Sequence, residues 1–83
     1  MNLEEIKFGT PVGLEYNAGD EVISKVCLFI NKDTEKNINY FLDVNGVFGF
    51  SDNFINRNVK ITFDNLDFSD LQILLKEIEN YRA

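Results

Sequence analysis

The sequence predicts an α+β protein in which a mostly antiparallel sheet of about five strands is packed by one C-terminal helix. Apolar residues alternate with polar residues in several short segments, which is typical of strands with one buried face. Asn45-Gly46 predicts a tight hairpin, and apolar residues from 71 to 81 recur at helical spacing. The 83 residues suit a single domain, 1–83.

The first two predicted strands flank the segment "NAGD" at 17–20, which has turn chemistry. The first strand carries the alternating residues Val12, Leu14 and Tyr16, and the second covers 21–31. The second strand divides into two faces: Ser24, Val26, Leu28 and Ile30 on one, and Ile23, Lys25, Cys27 and Phe29 on the other. Because both faces are apolar near the middle, we expect a central strand that is covered on both sides.

The third and fourth predicted strands meet at the Asn-Gly pair. The third strand follows a polar connection at 31–37 and divides into Ile38, Tyr40, Leu42 and Val44 on one face, and Asn39, Phe41 and Asp43 on the other. A type I′ turn at 45–46 would place Phe41 opposite Phe50 and Asp43 opposite Phe48. We expect a looser connection at 51–58, followed by a fifth strand in which Val59, Ile61 and Phe63 alternate with polar residues.

The predicted C-terminal helix begins after Ser69. Ser69 is a natural N-cap, Gln72 completes a capping box, and Phe68 before the cap would pack on Ile73. The apolar stripe of this helix consists of Leu71, Leu74, Leu75, Ile78 and Tyr81. We expect the stripe to pack on the sheet face that carries Ile38, Tyr40, Leu42, Val44 and Val47.

The opposite face of the predicted sheet is unusually aromatic. It carries Phe41, Phe48 and Phe50 beside Asp43 and Asn39, and the neighbouring strand adds Phe29 and Cys27. One helix cannot cover both faces of a sheet, and several exposed Phe side chains would favour association. Three alternatives are open: the sheet curls so that both clusters join one core, a second copy covers this face, or a different protein covers it.

The segment 41–54 contains oxygen donors around a glycine, as a calcium loop does. Counting from Asp43, position five is Val47, position six is Phe48 where glycine is required, and position twelve is Phe54 where an acid is required. The spacing therefore favours a hairpin. The acidic segment 64–70 also lacks the spacing of a calcium loop.

Catalytic chemistry has little support in this composition. Histidine is absent, and Cys27 sits between apolar neighbours, as expected of a small buried residue. A single cysteine cannot build a zinc site, and Gly46 and Gly49 belong to a hairpin rather than a phosphate loop. We expect a protein that is not an enzyme, with no catalytic residue, cofactor or metal.

The net charge of −6 and the pI of about 4.4 restrict the choice of partner. The eight basic residues are spread singly, so we expect neither direct nucleic-acid binding nor binding to a membrane. A protein with a basic surface is the better match. The single cysteine, and the lack of an apolar leader or membrane-length apolar run, predict a cytoplasmic protein.

These features predict a small acidic protein-binding module that blocks a basic, nucleic-acid-handling target, as an inhibitor or immunity protein does. The richness in Asn, Ile and Phe suggests an AT-rich coding sequence, and hence a phage or mobile-element protein. The candidate acidic contacts, which would stand in for phosphates, are Asp43, Asp52, Asp64, Asp67, Asp70 and Glu77. The alternative is a structural or assembly protein that forms a homodimer or larger homo-oligomer through Phe41, Phe48 and Phe50.

Overall fold

A computed structural model describes residues 6–63, 66, 69 and 71–81, which form a five-stranded antiparallel sheet and two short helices. The elements are β1 (Pro11–Ala18), β2 (Glu21–Asp33), β3 (Ile38–Asp43), β4 (Gly46–Ser51), α1 (Asp52–Asn58), β5 (Lys60–Thr62) and α2 (Leu71–Glu77), which continues as a 3₁₀ turn (Ile78–Tyr81). The predicted α+β class, with its antiparallel sheet and C-terminal helix, is confirmed.

The strand order in the sheet is β4-β3-β2-β1-β5. The first four strands are a meander, as predicted, because each lies beside its neighbour in the chain. The fifth strand lies at the opposite edge from β4 and pairs with β1 from Gly13↔Thr62 to Glu15↔Lys60. The segment that connects β4 to β5 must therefore cross the sheet, and α1 lies in that segment.

The prediction of a loose connection at 51–58 is wrong, because Asp52–Asn58 form a helix. The Ser51 hydroxyl accepts the N–H of Phe54 at 3.1 Å, which caps the helix. Asp52 in the first turn and Arg57 in the last turn suit the helix dipole. A seven-residue helix is marginal alone, so the burial of Ile55, 4 % exposed, supplies the stabilisation.

The hairpin lies where predicted, but its register differs by two residues. Asp43 pairs with Gly46 and Phe41 with Phe48, so the loop residues are Val44 and Asn45 rather than Asn45 and Gly46. The Asp43 carboxylate accepts the N–H of Asn45 at 2.8 Å, which stabilises this two-residue loop. Gly46 has a positive φ of 122° and Asn45 does not, so the turn is not type I′. A shift of two residues leaves every side chain on its predicted face.

A bulge changes which face the end of β2 presents. Phe29 pairs with Phe41, but the next pair is Asn31 with Tyr40, so Ile30 is the extra residue. Lys32 therefore pairs with Asn39 and lies on the same face as Phe41. Without the bulge, Lys32 would lie on the opposite face, which α2 covers.

Each face of the sheet carries its own apolar cluster. The α2 face buries Leu28, Ile30, Leu42, Leu71, Leu74 and Ile78, with Phe8, Val26 and Tyr40 packed against them. The Phe face buries Val12, Leu14, Cys27, Phe29, Phe41 and Ile55, with seven partly buried residues around them: Ile6, Tyr16, Phe48, Phe50, Val59, Ile61 and Phe63. Since Cys27, Leu28, Phe29 and Ile30 are all buried, the prediction that β2 is central and covered on both sides is confirmed.

The C-terminal helix buries a narrower stripe than its sequence predicts. Leu71, Leu74 and Ile78 are buried, but Leu75 and Tyr81 are 49 % and 42 % exposed. On the sheet, Val44 and Val47 are also exposed, at 58 % and 44 %, although both were expected beneath the helix. The helix begins at Leu71, and Phe68 and Asp70 lie outside the described residues.

Candidate functional site

The Phe face is closed within a single copy of the chain. Phe41 is 0 % exposed and contacts the rings of Phe29, Phe48 and Phe50, with centroid distances of 5.7, 5.5 and 6.4 Å. Phe41 is therefore a core residue of the single copy and has no exposed surface to offer a partner. The ring centroids of Phe48 and Phe50 lie 5.2 Å apart, and both side chains remain half-buried. Of the three predicted aromatic contacts, these two therefore keep an exposed rim.

Contacts between distant strands show how the face is closed. The ring of Tyr16 on β1 lies 5.2 Å from that of Phe50 on β4, and 6.3 Å from that of Phe54 on α1. Two other strands separate β1 from β4, so the sheet curls to bring these rings together. Curling was one of the three alternatives, but the two clusters do not merge into one core, because α1 and α2 each cover a different face.

Asp43 is not a free surface carboxylate. Its Oδ2 accepts a hydrogen bond from Lys25 Nζ at 2.8 Å, while its Oδ1 accepts the Asn45 N–H. The Asp43 side chain is 8 % exposed and that of Lys25 is 27 % exposed. Removing either partner from a pair at this depth leaves a poorly hydrated charge, so Asp43 stabilises the hairpin and is a weak candidate for partner contact.

Two aromatic rings of the Phe face also contact Lys25. Its ammonium lies 3.9 Å from the centroid of the Phe48 ring and 5.7 Å from that of Tyr16, which are cation–π distances. Burial lowers the pKa of Lys25, but hydrogen bonds to Asp43 and Tyr16 outweigh that effect, so the pKa is raised above 10.5. Lys25 is therefore charged at neutral pH, as its pairing with Asp43 requires.

Asp52 is held by a second lysine at the start of α1. Lys32 Nζ donates to its Oδ2 at 2.7 Å, and the Asn39 amide donates to its Oδ1 at 2.7 Å. The hydrogen bond from Lys32, followed by that from Asn39, lowers the pKa of Asp52 below 3.8. The bulge in β2 makes this pair possible, because it places Lys32 on the Phe face.

Asn39 links α1 to the sheet from inside the molecule. It is 0 % exposed, and its amide also donates to the carbonyl of Phe50 at 3.3 Å. Its Oδ1 is buried without a hydrogen-bond partner among the described residues. The hydrogen bonds of Asn39 to Asp52 and Phe50 fix the position at which the chain leaves β4 and enters α1.

The remaining acidic candidates belong to the C-terminal part of the chain. Glu77 is exposed on α2, and Glu79 is exposed on the 3₁₀ turn that follows it. Asp64, Asp67 and Asp70 lie outside the described residues. Two of the six predicted acidic contacts, Asp43 and Asp52, are thus paired internally, and the three that the structure describes, Asp43, Asp52 and Glu77, lie on different elements.

α2 exposes two branched apolar residues: Leu75, which the sequence assigns to the buried stripe, and Ile73, which it predicts to pack on Phe68. Ile73 is 57 % exposed and Leu75 is 49 % exposed. At 100° per residue, Ile73 points away from the buried line of Leu71, Leu74 and Ile78, and Leu75 lies beside that line. The missed signal is the short length of the helix, because a seven-residue helix resting on a sheet buries only the residues directly beneath it.

Cys27 is buried in the sheet, and two open grooves lie on the surface of the described chain. Cys27 is 0 % exposed, and burial raises its pKa to about 12, so the expectation of a small buried residue is confirmed. One open groove of about 330 Å³ lies between the β1–β2 hairpin and the end of α1 and includes Val22, Arg57 and Lys60. A second, of about 640 Å³, is mainly apolar and includes Ile6, Phe8 and Phe29. Neither groove is lined by Asp43, Asp52 or Glu77, the acidic candidates within the described residues.

Neither a metal-binding cluster nor a membrane-spanning helix is found in the described part of the chain. Within 6–63, 66, 69 and 71–81, no three His, Cys, Asp or Glu side chains come together as a metal site. No helix in those ranges has both the length and the apolar character needed to cross a bilayer. Comparison with protein families, curated proteins and solved structures finds no match to this chain. Any functional proposal must therefore rest on the chemistry of the chain itself.

Proposed function

We propose that this chain is a small acidic protein-binding module that blocks a basic target protein, in the manner of an inhibitor or immunity protein. Its contact surface is the exposed part of α2 and the 3₁₀ turn that follows, named here the α2 surface and defined by Ile73, Leu75, Glu77 and Glu79. Ile73 and Glu77 share one flank of the helix and Leu75 lies on the other, so a partner must wrap around the exposed part of α2 to contact both. The acidic segment 64–70, which precedes α2 in the chain, adds Asp64, Asp67 and Asp70 to the same contact.

The observation that carries the proposal is the exposure of two branched apolar side chains on a helix that also presents carboxylates. Ile73 and Leu75 are about half exposed, and Glu77 and Glu79, which follow them in the chain, are exposed. Protein interfaces combine an apolar centre with a polar or charged rim. A helix used only to cover the sheet gains nothing from apolar residues on its outer side.

The ion pairs that Asp43 and Asp52 each form with a lysine also favour α2 as the contact surface. Lys25 and Lys32 neutralise these two carboxylates, so the hairpin and the start of α1 contribute little net negative field. The segment from 64 to 70 has three aspartates and no basic residue. The negative potential that would attract a basic partner is therefore strongest around the C-terminal part of the sequence.

The two kinds of side chain would play different parts in binding. Carboxylates spaced on a rigid element attract Arg and Lys, compete with nucleic acid for them, and mainly raise the association rate. Ile73 and Leu75 would be buried in the complex and mainly slow dissociation. Charge substitutions on this helix should therefore change mainly the association rate, and apolar substitutions mainly the dissociation rate.

The test is capture of a target from a bacterial lysate, followed by kinetics with the purified target. The triple variant D64N/D67N/E77Q should lose association rate, by about tenfold or more, with little change in dissociation rate. A separate Leu75→Ser variant should dissociate faster. Wild-type binding should weaken steeply between about 0.05 and 0.5 M salt, because exposed charges are screened over this range.

A matched control removes the same number of charges from exposed turns elsewhere. The variant D20N/E21Q/E35Q has the same net charge as the test variant, and its three positions are exposed. It should retain most of the wild-type association rate. An affinity that does not change with salt concentration would rule out an acidic contact surface at α2. Equal weakening of binding by the two triple variants would also rule it out.

A further inference from the structure

The outer edge of β4 has no partner in the described part of the chain. β4 is the last strand on its side of the sheet and pairs only with β3. Among the described residues, no backbone–backbone hydrogen bond from a turn or loop reaches the outer edge of Gly46–Phe50. Ser51 at the end of the strand caps α1, where its hydroxyl accepts the Phe54 N–H. A six-residue edge strand in this state presents a row of free backbone donors and acceptors to another strand.

The register identifies which residues present those groups. The Asp52 N–H donates to the Asn37 carbonyl at 3.0 Å, so this pair is of the hydrogen-bonded type. Hydrogen-bonded and non-hydrogen-bonded pairs alternate along an antiparallel ladder. Phe48 and Phe50 therefore bond inward to β3, while the N–H and C=O groups of Val47 and Gly49 and the N–H of Ser51 point outward. The Ser51 carbonyl belongs to the first turn of α1, because Ser51 is the N-cap of that helix.

The side chains of β4 lack the usual protection of an edge. The sequence GVFGFS contains no charged residue and no proline, which are the common devices against edge-to-edge pairing. Val47 is 44 % exposed, and Phe48 and Phe50 are half-buried.

The carboxylates at both ends of β4 are paired internally. Asp43 is opposite Gly46 and is bound by Lys25, and Asp52 follows Ser51 and is bound by Lys32. A molecule with a net charge of −6 repels its own copies, and these two pairs lower that repulsion where it would matter most for the edge.

We propose that β4 is a dimerisation edge that pairs antiparallel with β4 of a second copy, about a two-fold axis at Gly49. In this register Val47 lies opposite Ser51 of the second copy, and Gly49 lies opposite Gly49. The outward groups of Gly49, the Val47 carbonyl and the Ser51 N–H gain partners, and the Val47 N–H can share the Ser51 carbonyl that also caps α1. Phe48 lies opposite Phe50 of the second copy and the reverse, which gives two cross-strand aromatic pairs on the Phe face. The two five-stranded sheets become one continuous sheet.

A second copy fits this edge better than the other edge of the same sheet does. The opposite edge strand, β5, has only three residues and carries an exposed lysine, so a β4–β5 contact would be short. That contact would also be head-to-tail and would leave free edges, whereas the β4–β4 contact closes on itself. The strand is self-complementary, because its two aromatic residues lie symmetrically about Gly49.

The dimer has a consequence for the α2 surface. A two-fold axis perpendicular to the sheet keeps equivalent faces on the same side. Both copies of α2 would therefore lie on one side of the continuous sheet and present two acidic surfaces together. Edge pairing does not require the proposed binding function, and the following tests do not depend on it.

The first test uses the wild-type chain and needs no substitution. Light scattering should show the mass rising from 9.6 kDa toward twice that value as concentration increases. Over the same range, amide hydrogen exchange at Val47, Gly49 and Ser51 should slow at least tenfold. Exchange at Phe48 and Phe50 should be slow at every concentration, because those amides bond to β3.

The second test compares two substitutions at one position. V47P removes an outward N–H that β3 does not use, and proline is tolerated at such edge positions. V47A removes the side chain but keeps the N–H. The proline variant should raise the dimer dissociation constant about tenfold or more relative to the alanine variant, while the thermal unfolding of both as dilute monomers stays similar.

The outcomes separate the alternatives. A monomer at all accessible concentrations, with fast exchange at Val47 and Gly49, would overturn the proposal and would leave this edge to a strand from another protein. A dimer in which those amides still exchange fast would place the contact elsewhere and would also overturn it. If V47P does not fold, the concentration dependence of exchange in the wild-type chain still decides the question.

Discussion

The ring of Tyr16 meets the ring of Phe50 edge to face, with centroids 5.2 Å apart and planes at 81°. These residues belong to β1 and β4, which are separated by β3 and β2 in the sheet. The contact therefore shows that the sheet curls and closes the Phe face. It also places the aromatic core between the sheet and α1, where Phe54 joins both rings.

A double-mutant cycle on Tyr16→Ala and Phe50→Ala should give a coupling energy of about 0.5–1.5 kcal/mol, because aromatic pairs contribute this much beyond burial. Urea unfolding of the two single variants and the double variant measures it. The control cycle pairs Tyr16→Ala with Val47→Ala, whose side chain lies on the other face of β4. That cycle should be additive within about 0.5 kcal/mol. Additivity in the aromatic cycle would mean that the curl does not bring the rings into contact in solution.

The Lys25–Asp43 pair should behave as a unit. Lys25→Met leaves the Asp43 carboxylate 8 % exposed without its cation and should cost about 1–3 kcal/mol of unfolding free energy. The double variant K25M/D43N should be more stable than K25M alone, because it also removes the uncompensated charge, and the new amide oxygen can still accept the Asn45 N–H. Chemical denaturation of the three proteins at neutral pH tests this order. A double variant less stable than K25M would contradict it.

Lys25 also predicts a loss of stability in alkali. Its pKa is raised above 10.5 in the folded chain, so protonated Lys25 stabilises the fold below about pH 10.5, and this contribution is lost as the pH rises through the folded pKa. The difference in unfolding free energy between the wild type and K25M should therefore shrink between about pH 9 and pH 12. Measuring both proteins at each pH cancels the titration of the other lysines. A constant difference would show that the pair contributes through packing rather than charge.

Asp52 predicts the opposite dependence, in acid. Its pKa is lowered below 3.8 in the folded chain, so its stabilising contribution is present above about pH 4 and is lost as the pH falls through the folded pKa. A carbonyl carbon titration by NMR should place the Asp52 pKa below 3.8 in the wild type. The pKa should rise most in Lys32→Met and less in Asn39→Ala, because the bond from Lys32 is the larger cause. An unchanged pKa in Lys32→Met would exclude that pair in solution.

Much of the fold follows from local patterns. Alternation of apolar residues places Val12 and Leu14 in the core, and it assigns Cys27 and Phe29 to one side of β2 and Leu28 to the other. Face assignments tolerate errors of register, because side chains repeat every two residues in a strand. The hairpin shift of two residues therefore changed the partner of Phe41 from Phe50 to Phe48 without moving it to the other face.

The candidate site was less predictable, because it depends on long-range pairing. Asp43 and Asp52 have the sequence context of surface acids, but Lys25 and Lys32 reach them from a strand 18 and 20 residues away. Nothing local marks the bulge after Phe29 that turns Lys32 toward Asp52. The exposure of Ile73 and Leu75 likewise depends on how much of the helix the sheet can cover.

The sequence by itself determined the class of fold, the position of the hairpin, the central place of β2, and the separation of a helix-covered face from an aromatic one. Each follows from periodicity or turn chemistry, which act over a few residues. Only the tertiary structure decided that 51–58 is a helix, that β5 joins β1, and that Phe41 is core. Those outcomes depend on burial between residues far apart in the chain: Ile55 and Phe54 stabilise α1 only because the curled sheet offers them an apolar surface.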